Sequence, residues 1–217
     1  MGLLVFAGFV MGFNSLLNDE LNGPDENYCF LREDQHETAI WIDNSLNTQQ
    51  SASQLRDYAT TLGQAYENSP PNGRIMMFST ASDISGSLPV PIFEICRYPS
   101  SLSEMLAIGA AKKTAPYLER RAEEVEKIYN EEVEQILTDL QNSDKRAVDS
   151  PLLEQVRGIS RYKGFQGSSR SFYLLTDGLN NTRLARFGTT KGDMPSFSVF
   201  SQRPDYEMNI KPRSLEG

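Results

Sequence analysis

Two short apolar runs, each closed by an aspartate, constrain this chain more than anything else in it. Ala39-Ile40-Trp41-Ile42 runs into Asp43, and Phe172-Tyr173-Leu174-Leu175 runs through Thr176 into Asp177. A strand with one wet face alternates apolar and polar residues. An uninterrupted run needs cover on both faces, as in the middle of a parallel sheet. The carboxyl ends of such strands, where the chain turns into a helix, are where open α/β sheets hold ligands. Asn44, Ser45, Asn47 and Thr48 follow Asp43, and hydroxyls and amides of this kind cap helices and shape turns.

The rest of the pattern predicts an α/β fold with a doubly wound, Rossmann-like, mostly parallel sheet. A strand over 38–43, a helix over 51–68 and a strand over 74–80 form a βαβ unit with a right-handed crossover. The helix keeps Leu55, Tyr58, Ala59, Leu62, Ala65 and Tyr66 on one face, and Ser69-Pro70-Pro71-Asn72-Gly73 ends it in a turn. Residues 90–96 read as a third strand, at an edge because of Pro89 and Pro91. Residues 97–111 carry no clear period. From 115 to 143, Leu118, Ala122, Val125, Tyr129, Val133, Ile136 and Leu140 form a single stripe on a heavily charged helix. That helix packs on the sheet with a solvated outer face, or offers itself to a partner. Residues 151–160 form a short helix with Asp149 or Ser150 as N-cap and Pro151 at its first position, and 171–177 is a further buried strand. Beyond 182 there is one weak strand at 206–211 and no amphipathic helix, so the domain reads as cut short at its C-terminus.

Composition excludes several functions. A net charge of −8 with scattered basic residues argues against nucleic acid, which needs a concentrated basic surface. The 2 cysteines, Cys29 and Cys96, have no C-x-x-C spacing, and the 1 histidine, His36, cannot build a zinc site alone. His36 sits in a polar loop before the first strand, away from the strand ends, and reads as a solvated side chain rather than a triad base. No G-x-x-x-x-G-K-[ST] or G-x-G-x-x-G is present. An aspartyl-phosphate hydrolase using Asp43 would want an acid/base partner two residues on, where Ser45 stands. No enzymatic activity is therefore expected. Leu3 to Leu17 is almost wholly apolar, the size of a signal-peptide core and short of a straight membrane span. Residues 1–17 are read as a signal anchor or its remnant, 18–37 as a linker and 38–217 as the domain. An anchor puts the domain on the extracytoplasmic (periplasmic) side of a membrane, where Cys29 and Cys96 can form a disulfide; in a cytosolic chain they stay thiols.

Asp43 and Asp177, with hydroxyls and amides beside them, make a hard-oxygen set suited to Mg²⁺, Mn²⁺ or Ca²⁺. Asp43-x-Ser45, Ser150-Pro151-Leu152-Leu153-Glu154 and Leu174-Leu175-Thr176-Asp177-Gly178 together resemble the von Willebrand factor A domain. That family is doubly wound, with a metal-ion-dependent adhesion site built from D-x-S-x-S after the first strand, a threonine at a later helix start and an aspartate in T-D-G. The resemblance implies a divalent cation held by Asp43, Ser45, Asn47, Ser150 and Asp177. Asn47 stands where the family has its second serine and Ser150 where it has threonine. The interval from Asp43 to Ser150 is long, and a helical insertion at about 97–146 fills it. The resemblance extends to bacterial extracytoplasmic proteins of this fold and implies a protein-binding module whose partner completes the coordination of the cation. The alternative is a metal-free structural or assembly component that uses the long charged helix.

Overall fold

The structure, a computed structural model, describes residues 23–32, 34–45, 51–80, 89–110, 112–141, 150–176, 197–203 and 206. Its strands are β1 (Glu37–Ile42), β2 (Arg74–Ser79), β3 (Phe93–Cys96) and β4 (Arg170–Leu175). Its helices are α1 (Ala52–Asn68), α2 (Leu102–Ala107), α3 (Ala115–Gln141), α4 (Leu152–Ser160) and α5 (Phe197–Phe200). β1 pairs in parallel with β2 on one side and β4 on the other, and β3 joins β2 antiparallel. The result is an α/β fold on one open, mixed, mostly parallel sheet in the order β3-β2-β1-β4.

The apolar run in β1 is covered on both faces, as an unbroken run requires. Side chains alternate along a strand. Ile40 and Ile42 therefore join Ile75, Met77, Leu62 and Tyr129 in the larger core, beneath α1 and α3. Ala39 and Trp41 turn the other way and pack with Met76, Phe78, Ile159 and Phe165, beneath α4. The stripe predicted on the long helix is spent inside the molecule. Leu118, Val125, Tyr129, Val133, Ile136 and Leu140 of α3 are all buried, and the Tyr129 hydroxyl donates to the Leu62 carbonyl at 2.7 Å. At about 1.5 Å per residue α3 is roughly 40 Å long, twice the ~20 Å of a six-residue strand. It carries the chain from the amino edge of the sheet back to the carboxyl edge, where Ser150 begins the approach to α4.

Several local expectations shift. The third strand is confined to Phe93–Cys96, past both prolines. The stretch without a period contains α2, capped by Ser101, whose hydroxyl accepts from the Glu104 amide at 3.2 Å. A helix of this length is too short to print a period on the sequence. α4 begins at Leu152 after Pro151, with no side-chain cap, so Ser150 is not the N-cap expected of it. Its hydroxyl is engaged elsewhere, as described below. The four-residue α5 was not anticipated; its Phe200 packs edge-on against Tyr206, centroids 5.7 Å apart. The apolar segment 1–17, Asn47, Asp177 and the predicted strand beyond Tyr206 lie outside the described residues.

The amino edge of the sheet is fastened by the segment before β1. Asn72, in the turn before β2, adopts a left-handed backbone with φ 64°. Its side chain accepts from the Phe30 amide at 2.7 Å and donates to the Phe30 carbonyl at 2.8 Å, so it pairs with that residue as a strand neighbour would. Next to it Cys29 is bonded to Cys96 at the end of β3, with Cα atoms 5.0 Å apart. The Cys96 amide donates to the Asn27 carbonyl at 2.9 Å. Residues 27–30 thus serve as a strap across the ends of β2 and β3.

Asn72 combines two functions that substitution can separate. Asn72→Gly keeps the backbone free to adopt the turn and strands the buried Phe30 groups, at a cost of about 2 kcal/mol. Asn72→Ala adds the left-handed penalty, roughly 1 kcal/mol more. Urea unfolding should rank wild type above glycine above alanine; equal losses would show that the backbone conformation contributes nothing.

Candidate functional site

The register of the sheet builds this site. The last paired rung sets Ile42 beside Ser79 of β2 and Leu175 of β4. One step further on, the Asp43 amide donates to the Leu175 carbonyl at 2.9 Å, and the Thr80 amide donates to the Ile42 carbonyl at 3.2 Å. Thr80, Asp43 and Thr176 therefore stand abreast at the carboxyl edge. By the alternation that sends Ala39 and Trp41 toward α4, the Asp43 side chain points to that face too. Ser150, just ahead of α4, meets it there.

The Asp43 carboxylate is fully buried. Its Oδ1 accepts from the Ser45 amide at 3.0 Å and from the Thr80 hydroxyl at 3.3 Å. Its Oδ2 accepts from the Ser150 hydroxyl at 2.7 Å and from the Thr176 hydroxyl at 3.0 Å. The Thr80 hydroxyl also accepts from the Asn44 amide at 3.3 Å, which holds the turn after β1 in place. A buried carboxylate without such donors is costly, by several kcal/mol. These four supply what water would have supplied.

The chain reaches this edge in a particular order. It moves outward from β1 to β2 to β3, then returns to place β4 on the opposite flank of β1. The reversal lies between β1 and β4, and the crevice at such a switch point is where open α/β sheets bind ligands. Asp43 and Thr176 occupy the strand ends on either side of it. The segments 46–50, 81–88, 142–149 and 177–196, which adjoin this edge in the chain, lie outside the described residues.

Of the five residues expected to hold a cation, the structure brings together Asp43, Ser45 and Ser150. Asn47 and Asp177 are outside the described residues, so their positions add nothing here. Among the described residues no three His, Cys, Asp or Glu side chains gather into a metal-binding group. The chemistry of the gathered set is one carboxylate surrounded by hydroxyls. A hydroxyl whose proton goes to a carboxylate still carries oxygen lone pairs, and oxygen of this kind is what Mg²⁺ and Ca²⁺ accept. Sequence reasoning missed Thr80 and the role of Thr176. Both follow from register: three parallel strands that end on the same rung with a short polar residue put those residues side by side.

His36 lies at the other end of the sheet. Its Nδ1 is 2.7 Å from the Ser169 hydroxyl and its Nε2 is 3.2 Å from the Ser171 hydroxyl. It is half-buried between β1 and the start of β4 rather than freely solvated, and it is remote from Asp43 by the length of β1. Burial holds its imidazole below the ordinary 6.5.

No protein-family model matches the chain, and no curated protein matches it. Among the described residues no helix is long and apolar enough to cross a membrane.

Two measurements probe the site and its opposite pole. Ser150→Ala and Thr176→Val each remove a hydroxyl from the same buried oxygen and should each cost about 2 kcal/mol in denaturant unfolding. Their double mutant should deviate from additivity by 0.5 kcal/mol or more, because both serve Oδ2 (typical couplings are about 0.5–3 kcal/mol); strict additivity would separate the two hydroxyls. His36 favours its neutral form in the fold, so its contribution is present above about pH 6.5, the unfolded value. It is lost as pH falls through the lower folded value. His36→Gln should flatten the fall in thermal stability on acidification, while leaving stability above neutrality nearly unchanged.

Proposed function

We propose that this protein is a von Willebrand factor A-like, protein-binding module that recognises its partner through a divalent cation at the carboxyl edge of the sheet. The observation that carries the proposal is the convergence of Asp43, Ser45, Ser150 and Thr176 at the switch point between β1 and β4. Each comes from a segment whose sequence resembles a part of that family's adhesion motif. Asp43 and Ser45 follow β1, Ser150 precedes α4, and Thr176 is the residue before Asp177. In this proposal Ser45 and Ser150 turn hydroxyl oxygens to the cation, Asn47 and Asp177 complete the protein's share, and Asp43 orients the hydroxyls. An acidic side chain of the partner takes the remaining position. With few ligand charges the affinity is modest, since charge count sets affinity at oxygen sites.

We also propose that residues 1–17 anchor the chain in a membrane and that the domain lies on its extracytoplasmic side. The Cys29–Cys96 disulfide supports this, because such bonds persist in oxidising compartments. The alternative, a metal-free assembly component, has to use the charged outer face of α3, since the apolar stripe of that helix is consumed by the core.

A thermal melt with Mg²⁺ or Mn²⁺ tests the cation. A bound ion at about 100 times its dissociation constant adds about 2.7 kcal/mol. For a chain of 217 residues that is a rise of about 5–10 °C in Tm. Asp43→Ala should melt lower without metal and show no rise with it. A Tm indifferent to millimolar metal in the wild-type chain would overturn the cation and leave the α3 surface as the contact.

A further inference from the structure

We infer that Thr80, which follows β2, is a positioning residue for the proposed cation: its hydroxyl sets where Ser45 stands. The inference rests on the cation reading above and goes beyond it, because Thr80 lies in none of the segments that resemble the adhesion motif. The chain leaves β1 with three consecutive amides held from three directions. The Asp43 amide donates to the Leu175 carbonyl at 2.9 Å, the Asn44 amide to the Thr80 hydroxyl at 3.3 Å, and the Ser45 amide to Asp43 Oδ1 at 3.0 Å. β4 thus holds the first, Thr80 the second, and the turn itself the third. Of the three acceptors, only the Thr80 hydroxyl is a side chain from another strand. The path from the last rung of the sheet to Ser45 therefore depends on that one hydroxyl.

Thr80 is suited to the task. It is buried, and its amide donates to the Ile42 carbonyl at 3.2 Å, so its backbone continues the pairing of β1 with β2. Threonine is stiff at its first side-chain torsion, so a fixed backbone gives a fixed hydroxyl. A hydroxyl has one proton and two lone pairs. Here the proton goes to Asp43 Oδ1 at 3.3 Å, and a lone pair receives the Asn44 amide. Each contact is long and weak alone. Their weight comes from one oxygen making both, which joins the carboxylate to the turn that carries Ser45. The two oxygens of Asp43 then have separate tasks. Oδ2 gathers the Ser150 and Thr176 hydroxyls from distant segments. Oδ1, together with Thr80, holds the two residues that follow Asp43. A binding site needs its contacting groups set to within about 0.5 Å. Thr80 itself holds no ion in this arrangement; it orients one of the groups that would, and residues in that relation to a metal typically change its affinity about 10–100-fold.

Two substitutions in the full chain separate positioning from packing. Thr80→Val keeps the shape of the side chain and removes the hydroxyl; Thr80→Ser keeps the hydroxyl and removes the methyl group. Mn²⁺ is added to each chain well below its melting temperature, and the free ion is counted by electron paramagnetic resonance. The expected result is an affinity about tenfold or more below wild type for Thr80→Val and unchanged for Thr80→Ser, although serine lowers the melting temperature of the metal-free chain. If Thr80 only packs, affinity falls with metal-free stability in both variants, and serine binding as weakly as valine overturns the inference. Equal affinity in all three chains also overturns it and leaves the cation reading standing. A wild-type chain that takes up no Mn²⁺ overturns the cation reading and this inference with it. A second measurement needs no variant. In the metal-free wild-type chain the Asn44 amide should be protected from hydrogen exchange, because its acceptor is in place before any ion arrives. Exchange at the rate of an unstructured chain would overturn the inference, whether or not Thr80→Val folds.

Discussion

A carboxylate removed from water has to be given back what water supplied, and much of this fold is arranged around doing that for Asp43. Its donors come from the turn after β1, the end of β2, the end of β4 and the approach to α4. No two of those segments are adjacent in sequence. Satisfying one side chain therefore fixes the relative height of three strands and the entry of a helix. A slip of one residue in either parallel register would send Thr80 or Thr176 to the opposite face of the sheet. Hydrophobic cover holds the layers together, but many registers bury apolar residues equally well. The polar rung discriminates among them, because each missed hydroxyl leaves a buried charge short by about 1.5–3 kcal/mol.

The two edges of the sheet divide the work. The amino edge is fastened by covalent and backbone contacts: the Cys29–Cys96 bond, the Asn72 pairing with Phe30, and the Arg97 carbonyl that accepts from the Asn72 amide at 2.7 Å. Charged side chains add to it, as where Glu37 accepts from the Gly167 amide at 2.7 Å and Arg74 lies 3.5 Å from Glu94. The carboxyl edge is held by hydroxyls around a carboxylate and adjoins the long intervening segments of the chain. A rigid foundation at one end allows the other to be built from short polar side chains whose hydrogen bonds can be rearranged. His36, the sole histidine, belongs to the foundation, clasped between serines that tie β1 to β4.

What could be read from the sequence was what depends on local pattern. The unbroken run 39–42 required two-sided cover, and the 3–4 spacing from Leu118 to Leu140 required one buried helical face; α4 over Trp41 and α3 against α1 answer them. Asp43 with Ser45 could be nominated because strand ends concentrate ligands, and Ser150 because its segment resembles a part of the von Willebrand factor A motif. The rest depends on neighbours distant in sequence. Thr80 is an ordinary residue until register places it beside Asp43. Ser150 reads as a helix cap because its local context is that of a cap, and only the carboxylate from β1 claims it instead. Asn72 reads as a turn residue, and nothing in its own segment discloses that Phe30 is its partner. The 23–36 stretch has a linker's composition, yet Asn72 and a disulfide bind it to the sheet.

The same cage bears on how a cation site of this kind would behave. An ionised carboxylate has about four lone-pair sites, and one amide and three hydroxyls donate to Asp43. These four donors are neutral groups. A structural zinc site is the opposite case, in which the fold waits on the metal. Here the hydroxyls that donate to Asp43 do not have to release it to receive a cation, because their protons and their lone pairs point to different partners. In the proposed site, occupancy would change what the edge presents while leaving the register intact. Binding energy from such an ion would be free to go into recognition, since the hydrogen bonds around Asp43 already hold the strand ends together.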